Sequence, residues 1–436
     1  MYRKFKFFLR LILLAGFTGL WSSTITLGYL TRKEAFEQSF DLVWSTVHES
    51  HWDETFGGLD WEKTRKTYYP KLRRIRKRAD LVRLMQKMLD ELDLSHYKVL
   101  SNFVEPLDNH PRGGYVGLEL KYIGGQAYVT RVDEDSPAAD GGVMPGWRLK
   151  SIHSRSIKRL VSPFLKADLS ERKRTFYIQR YLNDVVQGGP NRKIRTDWYP
   201  PAGRALKVYM IPEFDERQES EAVGYLPSQR IEYQQTYLEG DVMYIRFNYF
   251  LPQLMSDIRD SIESASGTAN GIIIDLRGNS GGMAIMATGI TGLLVDEQTT
   301  LGTLVMKKGY ISYQGYPQAK RYRGPVAILV DGSSVSTSEM LAAGLQEAGR
   351  ARLFGEITLG ESLPSLFKKL PSGDVLQYAV GDYHTPGGYR IEKNGVVPDE
   401  ILIPEVKQLE TGLDLPLQKA TEWILKQNAS EENDAS

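Results

Sequence analysis

Five short apolar runs between residues 232 and 406 limit the possible folds more than any other part of the sequence. They read MYIRF, GIIIDLRG, GPVAILVDG, ARLFGE and LQYAVGDY, and helical patterns separate several of them. Short apolar runs bounded by turn residues are typical of buried strands, and strands that alternate with helices are typical of α/β proteins. The sequence therefore predicts an α/β core at residues 216–406, and we expect the chemistry to lie there.

A helical domain is predicted before this core, at residues 32–112. Apolar residues recur there at three- and four-residue steps, which is the spacing of one face of a helix. The two sets are Phe36, Phe40, Val43, Trp44 and Val47, and then Leu81, Leu84, Met85, Met88, Leu89 and Leu92. After the core we expect a last helix at 407–427 and a polar, disordered tail at 428–436.

The segment at 1–31 has the composition of an export signal. Four cations lie in the first ten residues, and no charged residue follows from Leu11 to Leu30. A membrane-spanning helix needs roughly 20 residues, so a cleaved signal peptide and an uncleaved N-terminal membrane anchor are both open. A buried core helix is a third reading, which the basic flank disfavours. We expect the rest of the chain in a periplasmic or other extracytoplasmic space, either free or anchored to the inner membrane.

Residues 113–215 show another pattern, of short strands punctuated by Gly and Pro. YVGLEL and QAYVTRV read as strands, and DSPAADGGVMPGWRLKSI follows as a short Ala-rich helix and a turn. This order resembles a PDZ domain of the bacterial protease type. The resemblance implies that Tyr115, Val116, Gly117 and Leu118 bind a peptide carboxylate through backbone N–H groups while the peptide adds as a strand to the sheet edge. A PDZ fold that serves only as a spacer or a lid is the alternative.

Two segments of the core could supply catalytic groups. GIIIDLRGNSGG ends a strand with a loop whose glycines, Gly278, Gly281 and Gly282, let backbone N–H groups approach a ligand closely, as an oxyanion hole requires. GSSVSTSEMLAAGLQE follows the strand GPVAILVDG as a helix, which puts its serines at a helix N-terminus. Ser336 could be a nucleophile, or Ser336 and Glu339 could form only a capping box. The local sequence leaves both readings open.

Composition excludes several other classes of function. The chain has no cysteine, which excludes a cysteine nucleophile, thiolate metal sites and disulfides. The formal net charge is +1, so nothing global indicates binding to nucleic acid. The glycine loop lacks the lysine and Ser/Thr that grip a nucleotide and Mg²⁺, which disfavours phosphoryl transfer. Asp275 and Arg277 are expected to be a structural pair at a strand end, and no metal or organic cofactor is expected.

The order of these segments resembles that of the C-terminal processing (tail-specific) serine peptidases. DLRGNSGG, then GSSVSTSEMLAAGLQEAGRARLFGE about fifty residues later, then GVVPD follow the family's plan, which the chain matches from about residue 35 to 405. The resemblance implies a helical domain, a PDZ-like domain and an α/β (crotonase-like) catalytic core. It implies that Ser336 is the nucleophile and that the oxyanion is held by the amide of Thr337 and that of Gly281 or Gly282.

The general base has to be inferred separately. One branch of the family uses a lysine about 25 residues after the nucleophile, where this chain has Glu361 in TLGES, so a Ser/Lys dyad is excluded. MLDELDLSHYKVL is similar to the histidine motif of the tricorn-like branch. That likeness implies that His96 is the base, that Ser95 is its partner, and that Glu392 in RIEKNGVVPD completes a tetrad. Glu361 is an alternative orienting or specificity residue, and His384 is an alternative base.

These residues predict an exported serine endopeptidase that cleaves extended or C-terminal segments of proteins and peptides. The expected mechanism is a Ser-His-Glu relay, closer to the tricorn-like branch than to the Ser/Lys branch. The PDZ-like domain is expected to capture substrates or to gate the site, and an oligomer is compatible with the sequence. A catalytically inactive peptide-binding or scaffold relative of the family is the second reading.

Overall fold

The structure is a computed structural model that describes residues 31–101, 113–215, 219–222 and 228–434. The predicted export signal or anchor lies outside the described residues except for Thr31. Within the described part, no helix is both long and apolar enough to cross a membrane.

The N-terminal domain consists of helices and one short strand. Its elements are α1 (Arg32–Ser50), α2 (Trp61–Tyr68), α3 (Arg78–Asp90) and β1 (Lys98–Leu100), with 3₁₀ turns at Phe56–Gly58 and Tyr69–Arg74. Helix α1 begins with a capping box, because Thr31 and Glu34 each accept the other's backbone N–H. The predicted apolar stripes are confirmed, and the residues they bury are Phe36, Phe40, Val43, Val47, Leu81, Leu84, Met85, Met88, Leu89 and Leu92.

The middle domain, residues 113–215, is built on an antiparallel sheet. Its elements are β2 (Gly114–Tyr115), β3 (Leu118–Ile123), β4 (Gln126–Val132), α4 (Pro137–Asp140), β5 (Arg148–Ile152), β6 (Arg155–Ser156), α5 (Ile157–Leu165), α6 (Glu171–Gln187), β7 (Ile194–Tyr199), β8 (Leu206–Met210) and β9 (Glu213–Phe214). The sheet has the order β3-β4-β5-β7-β8, with β6 paired to β5, while β2 pairs with β9. The predicted order of two strands, a short helix and a turn is confirmed, and strand β5 follows the turn. Strand β3 forms one edge of the sheet, and helix α6 packs beside it.

The α/β core region alternates strands and helices, as predicted. Its elements are β10 (Tyr233–Leu238), β11 (Val242–Phe247), a 3₁₀ turn (Pro252–Leu254), α7 (Met255–Ala265), β12 (Gly271–Asp275), α8 (Ala284–Gly292), β13 (Thr299–Met306), β14 (Tyr310–Gly315), β15 (Val326–Val330), α9 (Thr337–Glu347), β16 (Arg352–Gly355), β17 (Ser365–Lys369), β18 (Val375–Ala379), β19 (Gly381–His384), β20 (Glu400–Ile401), α10 (Val406–Glu410) and α11 (Leu415–Asp434).

Six of these strands form the central sheet, in the order β10-β11-β12-β15-β16-β20. Only β10 runs antiparallel to its neighbour, and the other five strands are parallel. Alternate residues of these strands face opposite sides, so Ile272 and Ile274 pack among α7, α8 and α9, whereas Ile273 packs against α11. Both faces are thereby covered, which explains why the strands read as continuous apolar runs.

Two details differ from the sequence-based expectation. The run LQYAVGDY is divided between two smaller sheets, because β18 pairs with β1 and β17, whereas β19 pairs with β13. Helix α11 continues to Asp434, so the segment predicted as a disordered tail is helical as far as that residue. The segment after residue 427 contains Ala and Glu, which favour helix, and this outweighs its polarity.

The sheet β1-β18-β17 joins the N-terminal domain to the core. Strand β1 lies immediately after the predicted catalytic pair Ser95–His96, and Val99 is opposite Leu376. Leu363, Leu370 and Leu376 are buried in the same apolar cluster as α1 and α3. The N-terminal domain therefore packs on the core region through a shared hydrophobic interior, which brings the histidine segment to the core.

Candidate active site

The turn between β15 and α9 separates the three candidate serines. Ser334 and Ser338 are fully buried, and their hydroxyls donate to the backbone carbonyls of Leu276, at 2.8 Å, and Asn279, at 3.1 Å. Ser336, between them, lines the cleft described below. The two outer serines therefore attach the turn to the glycine loop, and the middle one faces open space.

The glycine loop and the serine turn are adjacent because their strands are. Strands β12 and β15 are parallel neighbours, so the loops that follow them leave the same edge of the sheet. Gly281 lies directly against the turn, since a Cβ there would come within 2.8 Å of Ser336 Cβ and 2.7 Å of Val335 O. Its φ of +84° also favours glycine. No larger residue fits at this contact.

Ser336 has an unusual backbone conformation, with φ +60° and ψ −116°. Such values are sparsely populated for a residue with a side chain, and they occur most often at functional sites. Its backbone N–H donates to Oε2 of Glu339 at 2.9 Å, and the Glu339 N–H donates to the Ser336 carbonyl at 2.8 Å. The helix-capping role of Glu339 is thus present, but it does not exclude a catalytic role for Ser336.

Two backbone N–H groups lie beside Ser336 with no hydrogen bond within the described residues, those of Gly282 and Thr337. The Thr337 hydroxyl donates to the Gly282 carbonyl at 2.9 Å, which ties the two residues together. The N–H of Gly281, in contrast, donates to Oδ1 of Asn279 at 2.9 Å. Of the two glycines considered for the oxyanion, Gly282 is the one whose N–H is available.

The structure brings Ser95, His96 and Glu392 into one hydrogen-bonded chain. The Ser95 hydroxyl donates to Oε2 of Glu392 at 2.8 Å and lies 2.7 Å from Nδ1 of His96, while the Ser95 N–H donates to Oε1 of Glu392 at 2.8 Å. Because the serine proton goes to the carboxylate, the serine oxygen accepts from Nδ1–H, which leaves a lone pair on Nε2. The imidazole therefore has the tautomer that a general base needs.

Burial determines the charge of these groups. It lowers the pKa of His96 to about 4, and the nearby cations Lys98 and Lys173 act in the same direction, so the ring is neutral at neutral pH. Burial raises the pKa of Glu392, against the hydrogen bonds from Ser95 and Ser362 that lower it. The imidazole is thus kept in the form that can accept a proton.

Glu361 does not contact the histidine through a hydrogen bond. Its buried carboxylate faces two cations, Lys98 Nζ at 3.8 Å and Lys173 Nζ at 3.7 Å. It also raises the pKa of His96 by its charge. Within the described chain, the hydrogen-bonded partner of Ser95 is Glu392, which favours Glu392 over Glu361 as the orienting acid.

His96 and Ser336 line the same cleft, although no hydrogen bond joins them within the described residues. The cleft has a volume of about 1380 Å³. Its walls are mainly apolar, and include Met283, Ile285, Leu304, Ile311, Leu366 and Val380. Catalytic hydrogen bonds are often long before substrate binds, so this arrangement is compatible with proton transfer. The alternative base His384 does not line the cleft, and its Nε2 lies 3.5 Å from Asp382.

The predicted peptide-binding edge of the middle domain is occupied by side chains of α6. We call Gln179, Asn183 and Gln187 the amide ladder. Its hydrogen bonds are Val116 N to Gln187 Oε1 (2.8 Å), Gln187 Nε2 to Leu118 O (3.2 Å), Leu120 N to Asn183 Oδ1 (2.8 Å), Asn183 Nδ2 to Leu120 O (2.9 Å) and Tyr122 N to Gln179 Oε1 (3.4 Å).

The ladder matches the edge of β3 for a geometric reason. Four helical residues rise about 6 Å, and two strand residues span about 6.6 Å, so amide side chains one turn apart reach alternate strand residues. Of the four residues expected to bind a carboxylate, Tyr115 pairs with β9 in a separate two-stranded sheet, and the N–H of Val116 is already bonded. Gly117 packs so tightly on Ser136 that a Cβ would lie 2.2 Å from it. An added peptide strand would have to displace the ladder.

Two contacts that sequence reasoning missed connect the middle domain to the catalytic loops. The Arg172 guanidinium donates to the carbonyls of Thr358 at 3.1 Å, Lys393 at 2.8 Å and Asn394, the last two beside Glu392. Lys121 of β3 forms ion pairs with Glu356 and Asp331, both at the carboxyl edge of the central sheet. No local pattern distinguishes these cations from other surface cations, so only the tertiary structure reveals them. The predicted Asp275–Arg277 pair is confirmed, with 2.7 Å between Nη2 and Oδ2.

Comparison with known proteins shows which families parts of the chain match. The model described as Peptidase family S41 matches residues 241–402, which include Ser336, and the model of the Tricorn protease C1 domain matches residues 32–90. A carboxyl-terminal-processing protease of Synechocystis sp. is 25% identical over 396 residues, which cover 89% of this chain and 86% of that protein. The chloroplastic C-terminal processing peptidase of Tetradesmus obliquus is 27% identical over 390 residues, covering 84% and 76%.

A solved structure has the same fold. The photosystem II D1 C-terminal processing protease superposes with a TM-score of 0.54 at 21% identity, over 87% of this chain and 98% of that chain. The multidomain α/β fold predicted from the sequence is confirmed at this level, and the relatives above support the predicted resemblance to C-terminal processing peptidases. Residues 241–402 carry a peptidase family S41 domain, and this match together with the two relatives indicates a serine-type peptidase.

Proposed function

We propose that this peptidase cleaves C-terminal or extended segments of proteins with Ser336 as nucleophile and a relay of His96, Ser95 and Glu392. The observation that supports it is the convergence of distant segments: His96 lies 240 residues before Ser336 and Glu392 lies 56 residues after it. Ser95 links His96 to Glu392 by hydrogen bonds of 2.7 and 2.8 Å, and His96 shares a cleft with Ser336. This relay is the tricorn-like type rather than the Ser/Lys type.

In the proposed reaction, Nε2 of His96 takes the proton of Ser336 as its Oγ attacks the scissile carbonyl carbon. The imidazolium that forms is stabilised through Ser95 by the Glu392 carboxylate. His96 then gives the proton to the leaving amine, and the acyl-enzyme is hydrolysed when His96 activates a water. Each step uses groups that the chain itself supplies.

The oxyanion of the tetrahedral intermediate is assigned to the backbone N–H groups of Thr337 and Gly282. The availability of both N–H groups beside Ser336 supports this assignment, and the hydrogen bond of Gly281 to Asn279 favours Gly282 over Gly281. Thr337 is also the first residue of α9, where the positive end of the helix dipole adds to the stabilisation.

The substrate class follows from the relatives and from the cleft. Both relatives described above are named for carboxyl-terminal processing, and the cleft beside Ser336 has mainly apolar walls. An unfolded chain end with apolar residues near the scissile bond fits such a cleft, because its apolar side chains leave water when they pack against the apolar walls.

We assign the middle domain a gating role rather than capture by strand addition. The amide ladder satisfies the groups of β3 that an added strand would need, and Arg172 and Lys121 connect the same domain to the catalytic loops.

The segment at 1–31 supports export to an extracytoplasmic space, and fractionation of cells that express the full chain tests this: recovery in the cytoplasm would contradict it.

A fluorophosphonate probe tests the proposed function directly. The folded wild-type protein should be labelled on Ser336, the Ser336→Ala variant should not be labelled, and the His96→Ala variant should be labelled far more slowly. Hydrolysis of a peptide with an apolar C-terminal segment should follow the same order. A folded wild-type protein that does not react with the probe would disprove the relay.

A further inference from the structure

Glu339 is a buried carboxylate on the first turn of α9 that the relay does not use. Its side chain is fully buried, and burial raises its pKa to about 7. Four donors converge on its two oxygens. Oε1 accepts from Thr358 Oγ1 at 2.5 Å and Gly360 N at 2.7 Å, and Oε2 accepts from Ser336 N at 2.9 Å and Glu361 N at 3.1 Å.

One of these donors is the backbone of the nucleophile. Ser336 has the unfavourable φ of +60° described above, which persists only where the surroundings impose it. Oε2 of Glu339 holds its N–H from one side, and Gly281 packs on its Cβ from the other. The side-chain direction of Ser336 depends on this backbone conformation, because Cβ follows φ and ψ.

The other three donors belong to a single loop, which also bonds to Glu392, the acid proposed to orient the base. Thr358, Gly360 and Glu361 bond to Glu339, and the next residue, Ser362, donates its N–H to Oε2 of Glu392 at 3.2 Å. The segment TLGES thus bridges the carboxylate beside the nucleophile and the carboxylate that orients Ser95 and His96. It is the same segment in which the other family branch has its catalytic lysine.

We propose that Glu339 is a positioning residue for the nucleophile, and that the loop Thr358–Ser362 joins it to Glu392 so that both halves of the site are held as one hydrogen-bonded unit. The role rests on the proposed function, since it requires Ser336 to be the nucleophile. Glu339 acts through the backbone of Ser336 and through the loop, not on the substrate.

Two variants separate the reach of this side chain from its charge. Glu339→Asp keeps the charge but is one methylene shorter, so the carboxylate cannot hold the N–H of Ser336 and the loop together. Glu339→Gln keeps the length: its amide oxygen can occupy the Oε2 position and accept from the N–H groups of Ser336 and Glu361. Its NH₂ can donate to the Thr358 hydroxyl but removes the acceptor of the Gly360 N–H. Asp374→Asn is the control, a fully buried carboxylate outside the site that bonds Arg78 at 2.8 Å and Ser372 at 2.6 Å.

The readouts are kcat and KM for peptide hydrolysis, normalised to fluorophosphonate-labelled sites, and the urea midpoint. A misplacement of about 1 Å costs about 100-fold in rate, so E339D should lose about 100-fold in kcat with little change in KM. E339Q should keep kcat within about tenfold of wild type, because one acceptor for the Ser336 N–H remains. D374N should lower the urea midpoint without changing kcat.

The outcomes are distinguishable. A wild-type protein without labelling overturns the proposed function, and this role with it. With a labelled wild type, unchanged kcat in E339D overturns the positioning role alone. Should E339D fail to fold, E339Q still decides, because it keeps the acceptor for the Ser336 N–H: a folded E339Q variant that loses about 100-fold in kcat shows that this acceptor does not position the nucleophile, and overturns the proposal.

Discussion

Replacing Ser95 by alanine tests the link between the base and its acid. The Ser95 hydroxyl lies 2.7 Å from Nδ1 of His96 and donates to Oε2 of Glu392 at 2.8 Å, so the variant removes both contacts while leaving the imidazole in place. A hydrogen bond to a charged group contributes about 1.5–3 kcal/mol. The imidazolium exists only near the transition state, so this loss raises the barrier and should lower kcat about 10- to 150-fold.

The structure also predicts how this variant combines with others. His96→Ala removes the base itself and should cost about 10⁴-fold in kcat, clearly more than Ser95→Ala. Glu392→Gln acts on His96 only through Ser95. The double variant Ser95→Ala/Glu392→Gln should therefore have about the kcat of the less active single variant, because the two residues act as one unit.

The assay is steady-state hydrolysis of a fluorogenic peptide, with active sites counted by a fluorophosphonate probe and folding checked by circular dichroism. Ser336→Ala gives the background rate. A folded Ser95→Ala variant with wild-type kcat would refute the relay through Ser95. Rate losses that multiply in the double variant would show that Glu392 acts on His96 by a different route.

Three further predictions concern other parts of the site. Gly281→Ala should lower both stability and labelling, because its Cβ would meet Val335 O at 2.7 Å and φ is +84°; a fully active variant contradicts this packing. His51 and His96 both have a pKa lowered by burial from 6.5 to about 4, so the stability they contribute is fully present above pH 6.5 and is lost as the pH falls toward 4. The loss should approach about 3 kcal/mol per histidine, while the raised pKa of Glu339 acts in the opposite direction. Urea unfolding at pH 7 and 4.5 therefore compares wild type with His51→Gln and His96→Gln, and variants with the same pH dependence as wild type contradict it. Asn183→Leu leaves an N–H and a C=O of β3 without partners and should lower the free energy of unfolding by about 2–3 kcal/mol, whereas an unchanged value would show that the ladder is dispensable.

Short-range patterns in the sequence predicted most of the core. The runs GIIIDLRG and GPVAILVDG are the strands β12 and β15, because continuous apolar residues are what a sheet covered on both faces requires. The run LQYAVGDY failed as a single strand because its two halves pair with different partners, and pairing is a long-range property that composition does not contain.

The candidate site was predictable only in part. The motif around Ser336 left both a cap and a nucleophile open. The structure has the capping contact, since Glu339 caps the backbone of Ser336, and the same turn leaves the Ser336 side chain facing the cleft. The resemblance to a family supplied Ser95, His96 and Glu392 as candidates, and the tertiary structure placed them within hydrogen-bond distance of one another. The hydrogen bonds among these residues are a separate observation from the sequence motifs that suggested them.

The closure of the β3 edge could not be read from the chain. Gln179, Asn183 and Gln187 look like ordinary polar positions of an exposed helix face, and the loop before β3 resembles one that binds a peptide end. Whether an edge is free depends on what packs beside it, and helix α6 is about 50 residues away from β3 in sequence.

Local chemistry along the chain was enough to specify the α/β core, the helical N-terminal domain and Ser336 with its glycine loop as a candidate site, because apolar periodicity and turn residues act over a few neighbouring positions. The tertiary structure alone decided which serine faces the cleft, which acid is hydrogen-bonded to Ser95 beside His96, and whether the edge of β3 is free. Each of these depends on distances between segments up to about 300 residues apart, such as Ser95 and Glu392, and such distances arise only when the separate elements pack together.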